Sequence, residues 1–501
     1  MDEHEGAPIR LSMTLPGGAS LGAYQAGAVA ALLVAVRELR RRGCPVVVDA
    51  VGGASSGSLV ALVAAHCLLE GLDPEAVLHD AWVERVTLDL LRGRSRRAPF
   101  EYDTLRQRIG DVLDPHDDHG RPLHRTDGRQ EEPVALHVSL TTLQGLTYQL
   151  RGVDGGEITA TTYVDWGTFE LQPGAGVAQL AEPAGAAPLD FVLASAANPG
   201  AFAPRMLDRK GDEAAYRENG IGSFPASGCL WYTDGGLVAS EPVGRTLAAA
   251  RGVAGDGAGH RLHLVIDPRS EGPSGSSRWS DPAAPPSWTA GIARALSILP
   301  AQALYDDLRR AAARNERLTA IDEAAHQLGS VLGDRARAAV AEIAGGDGGE
   351  DDVDLVRRML LRLSGLEGKE RVHMELISPL LLVEGNQREV PGLLAGEFLA
   401  TFGGFLSERI RESDYVLGWA STRAWLTGGL RRAGVDAAGV DEVVAGVDAV
   451  RDPDWRRVNL GRRHADARSF GERRSLARLA VHVGRVLVGG AVASGRGRTR
   501  N

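Results

Sequence analysis

Ser55 stands at the centre of Gly53-Ala54-Ser55-Ser56-Gly57, a G-x-S-x-G run between an apolar strand-like segment and an apolar helix-like one. A nucleophile elbow needs that context, because small neighbours let the backbone close beneath a serine on a strained turn. The helix start beyond it favours negative charge developing on an attacked ester. An ordinary tight strand-to-helix turn in an alanine- and glycine-rich chain has the same pattern. A second turn, Gly17-Gly18-Ala19-Ser20-Leu21-Gly22, offers successive backbone N–H groups at an earlier helix start. Donors aimed at a developing oxyanion lower a barrier by roughly 2.7–4 kcal/mol each. The same turn also reads as a degenerate dinucleotide fingerprint, with Ala19 at the middle glycine and Asp49 as the distant acid. Plain close packing of helix on strand is a third reading. No G-K-[ST] follows, so it is not a P-loop.

A serine nucleophile needs a base. Asp-Gly-Gly occurs three times, so the triplet alone proves nothing. Asp154-Gly155-Gly156 separates two strand-like runs and reads as a hairpin turn. Asp347-Gly348-Gly349 sits in a low-complexity break. Asp234-Gly235-Gly236 ends the apolar run from Cys229 to Tyr232, which favours Asp234 as the base; the bland reading is a turn aspartate capping its own backbone. A Ser-Asp-His order would need a late histidine, and His263 is the nearest, on a strand-like segment where histidines usually pack. His66, three turns beyond Ser55, reads as a core residue. Cys44, Cys67 and Cys229 have no metal-ligand spacing and read as buried thiols in a reducing compartment. No metal or cofactor is expected.

The elements that must position these residues alternate. Ile9 to Leu15 reads as a strand, Ser20 to Arg42 as a helix with Val29, Leu32, Leu33, Val36 and Leu39 on one face, and Pro45 to Val51 as a buried strand. Arg40 to Gly43 is a helix stop. An apolar helix to about Leu69 follows Ser55. This strand-helix-strand-helix start predicts an α/β fold with a mostly parallel sheet sandwiched by helices. Both glycine turns then lie at strand C-termini, on one edge of the sheet. Further strands are expected at Val134–Leu143, Thr147–Val153, Phe191–Ala197, Leu230–Thr233 and Leu262–Ile266. Residues 94–133 are polar and read as a surface insertion.

The chain has 501 residues, is 44% hydrophobic and 24% charged, and carries a net charge of −9. That composition excludes a disordered or collagen-like protein and gives no basic field to recruit nucleic acid. Length suggests two to three domains. The Pro-, Ser- and Gly-rich stretch Glu271–Ser287 marks a linker, so the expected division is 1–270, a linker at 271–290, and a helical region at 291–501. Helical blocks are expected at Ile292–Leu328 and Val353–Leu366, with a third marked by Phe398, Phe402, Phe405, Arg409 and Val416. The phenylalanine stripe Phe398/Phe402/Phe405 reads as core, with a lipid groove as the alternative. No stretch approaches the roughly 20 uncharged apolar residues of a membrane span, and Met1–Arg10 lacks the features of a signal peptide, so the expected location is cytoplasmic. After Glu472 only basic residues are charged; Arg474, Arg478, His482 and Arg485 face away from Leu476, Leu479, Val483 and Val486. Such a helix either docks on the protein or rests on an anionic bilayer.

Taken together, the segments Gly17–Gly27, Gly53–Gly57, Ala194–Pro204 (ASAANPGAFAP) and Asp234–Gly236 resemble the patatin-like phospholipases over roughly residues 9–270. The resemblance implies a Ser–Asp dyad of Ser55 and Asp234, an oxyanion hole from the N–H groups of Gly17, Gly18 and Ala19, no histidine, no metal, and a lipid or phospholipid acyl ester as substrate. Ala19 departs from a usual glycine, and Leu21 stands where the family usually has Arg or Lys. Phe402–Leu406 and Arg411–Tyr415 resemble the helical extension of larger bacterial patatin-related proteins. The expected activity is acyl-ester hydrolysis. The alternatives are a catalytically silent lipid-binding or scaffold protein and a dinucleotide-binding domain.

Overall fold

The computed structural model describes residues 8–87, 98–114, 126, 128–151, 157–199, 201–222, 224–238, 242–254, 261–268, 287–345, 351–367, 369, 371, 373–383, 392–397, 401–461 and 481. Asp154-Gly155-Gly156, Asp347-Gly348-Gly349, Phe398, nearly all of the proposed 271–290 linker and, apart from Val481, the basic segment after Glu472 lie outside them.

The chain opens with β1 (Ile9–Leu15), α1 (Gly22–Arg41), β2 (Val46–Gly53) and α2 (Ser56–Glu70), as the alternation predicts. Two Arg residues sit in the last turn of α1, where cations suit the negative helix end. A left-handed Gly71 closes α2. After α3 (Pro74–His79) and α4 (Tyr102–Leu113) come the long strands β3 (Val134–Arg151) and β4 (Glu157–Leu171), then α5 (Pro188–Ser195), β5 (Arg205–Asp208), β6 (Cys229–Thr233), α6 (Val243–Ala254) and β7 (Arg261–Ile266).

The strands make one mixed sheet in the order β5-β6-β3-β2-β1-β7, continued by β8 (His373–Ile377), with β4 on β3. Its centre is parallel: β1 pairs with β2 and β7, and β2 with β3. The flank is antiparallel, through β3–β4, β3–β6 and β5–β6. Successive side chains of β2 point to opposite faces. Val51 joins the main core on the side of α1 and α2, while Ala50 joins Ala135 and the Ala250 of α6 in a small cluster on the other.

Four expectations are corrected. Phe191–Ala197 is not a strand: Phe191–Ser195 closes α5, Pro188 occupies that helix's first turn, and all eight residues of α5 are buried, so apolar period could not separate helix from strand. The strands expected at 134–143 and 147–153 are one strand whose pairing with β4 shifts register between Thr141 and Leu146. The polar stretch 94–133 is more than a surface insertion, because α4 buries Leu105, Ile109 and Val112 at helical spacing among charged residues. Helix α1 with its preceding turn, Ala19–Arg41, does have the length and hydropathy of a membrane span. Its apolar window is 94% buried, as in the core helix of a globular fold.

The helical blocks are α7 (Trp288–Gly329), α8 (Asp334–Ala344), α9 (Asp352–Leu363), α10 (Glu408–Arg432) and α11 (Ala437–Val450). Contacts divide the chain elsewhere than at 271–290. One compact unit is residues 1–303 with 375–501, and the other is 304–374. Within the smaller unit α9 packs on the end of α7, where Gly329 lies against Val353, and Asp322 pairs with Arg357 and Arg371. Within the larger unit α10 lies along α1. Each helix brings a glycine to the other's backbone: a Cβ on Gly27 would sit 1.9 Å from the Tyr415 carbonyl oxygen, and one on Gly418 would sit 1.9 Å from that of Tyr24. The Thr422 hydroxyl donates to the Ala28 carbonyl at 2.9 Å.

Candidate active site

The parallel register brings the two glycine turns together. Leu15 pairs with Gly53, so Pro16-Gly17 and Ala54-Ser55 leave the sheet side by side, and the Ala54 N–H donates to the Leu15 carbonyl at 3.1 Å. The last glycine of G-x-S-x-G is required by space, since a Cβ on Gly57 would lie 2.1 Å from the Leu15 carbonyl oxygen. Ser55 itself adopts φ 52° and ψ −126° at the start of α2. A non-glycine residue held there costs roughly 1–3 kcal/mol, and such strain clusters at functional sites. Its backbone is fixed on both sides: the Ser55 N–H donates to Ser195 Oγ at 2.9 Å, and Ser58 Oγ donates to the Ser55 carbonyl at 2.6 Å.

Ser55 Oγ donates to Asp234 Oδ2 at 2.7 Å. The carboxylate stands just past the end of β6, tied down where Asp234 N–H and the Thr233 hydroxyl both donate to the Ala197 carbonyl, at 3.0 and 2.9 Å. Its other oxygen, Oδ1, accepts from the Gly236 N–H at 2.7 Å. The turn-capping and serine-partner readings of Asp234 therefore hold together, one oxygen each. Asp234 is 4% exposed. Burial pushes its carboxyl up to about 6, against hydrogen bonds from Ser55, the Gly236 N–H and Asn198 that pull it down.

Gly17 abuts the serine: a Cβ there would be 3.1 Å from Ser55 Cβ. Of the three expected oxyanion donors, the Gly18 N–H is already engaged, donating to Ser56 Oγ at 3.0 Å. The N–H groups of Gly17 and Ala19 have no partner among the described residues. Ala19 adopts φ 47°, the left-handed conformation that its departure from glycine makes costly. Leu21 is fully buried.

A largely apolar cavity opens on Ser55. Leu59, Val63, Trp82, Phe100, Leu105 and Ile109 line it, together with Ala19, Ser56, Asn198 and Phe202. Phe402 and Phe405 pack against the main core, as expected of the stripe, and also line the cavity. Apolar walls with a few convergent polar groups are usual for a small-molecule site. Ser195, Ser56 and Asn198 were missed by sequence reasoning as individual site residues. Their only signal was the segment ASAANPG and the second serine of the elbow.

The remaining candidates are occupied elsewhere. Both ring nitrogens of His263 are taken, by Ser12 Oγ at 2.8 Å and Thr14 Oγ1 at 3.0 Å, and burial with the nearby Arg261 lowers its pKa to about 3. His66 is buried with Nε2 on the Leu113 carbonyl. Asp49 lies buried between Arg10 and Arg261, at 2.6 and 3.1 Å, and is not free to meet a ribose. Cys67 is buried, whereas Cys44 and Cys229 are half-buried. Among the described residues no cluster of three or more His, Cys, Asp or Glu side chains could hold a metal.

A mixed sheet with a parallel centre, flanked by helices and carrying a serine on a strained strand-to-helix turn against a buried carboxylate, defines a class of α/β proteins with a nucleophile elbow. Within it, residues 13–247 match the family model described as Patatin-like phospholipase, and the chain carries a patatin-like phospholipase domain over those residues. Comparison with curated proteins gave no match. The crystal structure of VipD from Legionella pneumophila aligns over 96% of this chain and 92% of that one, at 12% identity and a TM-score of 0.20. A likeness that low carries no argument about fold or function.

Proposed function

We propose that the chain is a serine acyl hydrolase of fatty-acyl lipid esters, with Ser55 as nucleophile and Asp234 as general base. The observation that carries this reading is the 2.7 Å contact between Ser55 Oγ and Asp234 Oδ2, made beside a largely apolar cavity. The patatin-like domain supports lipid acyl hydrolysis as the coarser class. Asp234 takes the hydroxyl proton as Ser55 Oγ bonds to the acyl carbon, and the carbonyl electron pair moves onto oxygen. The N–H groups of Gly17 and Ala19 would hold that oxyanion. Its collapse breaks the ester bond, and the departing alcohol takes the proton from Asp234. Water then repeats the cycle on the acyl-serine: it gives a proton to Asp234, attacks the acyl carbon, and Ser55 Oγ leaves and recovers the proton as the fatty acid departs. A base works best with its pKa near the working pH, and the raised value of Asp234 suits that task.

The test is fatty-acid release from dispersed phospholipid, lysophospholipid and monoacylglycerol. Asp234→Asn should lower the rate by roughly 10²–10⁴-fold; equal release by wild type and variant would remove Asp234 from the mechanism. One observation favours a silent lipid-binding protein instead: the Gly18 N–H is held by Ser56 Oγ rather than left open. Saturable fatty-acid binding by a wild type that releases none would support that reading.

A further inference from the structure

Among the described residues three that are not glycine adopt a left-handed φ: Ala19 at 47°, Ser55 at 52° and Thr401 at 70°. They come from distant parts of the chain and are linked through one contact set. Ser55 abuts Gly17 of the first turn. Ala19 precedes Ser20, which is 1% exposed. Ser20 in turn is gripped by residues 401–404. Its N–H donates to the Thr401 carbonyl at 3.0 Å, its hydroxyl donates to the same carbonyl at 2.5 Å, and the Gly404 N–H donates to Ser20 Oγ at 2.9 Å. The gripping segment is itself anchored, because the buried Arg411 donates to the Gly404 carbonyl at 3.0 Å and to the Val83 carbonyl at 2.8 Å. Phe402 and Phe405 of the same segment line the cavity beside Ala19 and Ser55. Strain of this kind persists only where surrounding contacts over-determine it. Here the contacts on the turn that carries Ala19 include hydrogen bonds from a segment well beyond the patatin-like residues 13–247.

We propose that Ser20 is a positioning residue for acyl transfer: clamped by Thr401 and Gly404, it holds the first glycine turn so that the Gly17 and Ala19 N–H groups face the carbonyl attacked by Ser55. The proposal rests on the acyl-hydrolase reading given above. It makes the site composite, with its nucleophile and base in one segment and the brace of its oxyanion turn supplied from residues 401–405.

The experiment is steady-state hydrolysis of p-nitrophenyl octanoate by full-length wild type, Ser20→Ala and Gly404→Ala, with Thr422→Val as control. The Gly404 variant presses on the clamp from its other side, since a Cβ there would lie 2.8 Å from Ser20 Oγ. The control removes a comparable buried hydroxyl-to-carbonyl bond, Thr422 to Ala28, between α10 and α1. Misplacing catalytic groups by about 1 Å costs on the order of 10²-fold. We expect Ser20→Ala and Gly404→Ala to lower kcat by roughly 10–100-fold with KM changed less than about threefold, while Thr422→Val keeps wild-type kcat. Wild-type kcat in either clamp variant, or an equal fall in Thr422→Val, overturns the proposal and leaves the hydrolase reading standing. Should Ser20→Ala not fold, Gly404→Ala alone decides. A folded wild type that neither turns over the ester nor reacts with a fluorophosphonate overturns the hydrolase reading and the clamp with it.

Discussion

Asp234 divides its two oxygens between a turn N–H and the Ser55 hydroxyl, and its pKa carries consequences in two directions. As a base it must be ionised, so kcat/KM should rise with pH to half its plateau near pH 6, where burial has pushed the carboxyl. A pH–rate profile flat from pH 5 to 8 would contradict that role. For stability the sign is opposite to the usual aspartate. The folded-state pKa is raised from 3.8 to about 6, so the contribution is fully present below 3.8 and is lost as pH climbs through 6. Asp234→Asn, which cannot ionise, should therefore be more stable than wild type at pH 8, by on the order of 1–3 kcal/mol, and lose that advantage at pH 4. Thermal midpoints across that range give the answer. Ser55 and Asp234 were legible in the sequence because each ends an apolar strand-like run in a small-residue turn. Ser195, 140 positions from the Ser55 N–H it accepts, was not. A serine's local neighbours do not say which distant donor it will meet.

At the scale of elements, the first four were readable because their apolar periods are long and unbroken. Phe191–Ala197 reads as a strand although Phe191–Ser195 is helical, because a helix buried on every side has no polar face to reveal its period. The cavity wall from α4 was hidden for the converse reason: an apolar stripe of Leu105, Ile109 and Val112 is diluted by the charges around it. The packing of α10 on α1 rests on closeness that only glycine allows. A methyl at Gly27 or Gly418 would lie 1.9 Å from a facing carbonyl oxygen, so the helices must separate to admit it. Overpacking of this kind typically costs about 1–3 kcal/mol, and backbone leaves less room to yield than a side chain. Gly418→Ala should accordingly lower the urea midpoint by at least that equivalent, whereas Gly244→Ala, with open space around it, should leave the midpoint within about 0.5 kcal/mol. Equal midpoints for the two variants would contradict the close helix contact.

Over the whole molecule, composition suggests a break near residues 271–290, yet contacts join α10 and α11 to the sheet-bearing unit. Sequence gives no sign of this, because nothing in the apolar face of α10 specifies that it meets a helix almost 400 positions earlier. A chain ending at residue 270 would leave α1 without that cover, and the part of the apolar Ala19–Arg41 helix that α10 and α11 bury would face water. The expected outcome is aggregation or a molten product in size-exclusion chromatography, with the full chain eluting as a discrete species; a well-behaved, cooperatively unfolding 1–270 fragment would argue that α10 is dispensable to the fold. The central claim, that Ser55 is the nucleophile, meets its most direct trial in a fluorophosphonate reaction followed by peptide mass spectrometry. The account predicts one phosphonyl adduct on Ser55 in wild type and none in Ser55→Ala. An unreactive folded wild type, or an adduct that persists in Ser55→Ala, would contradict it.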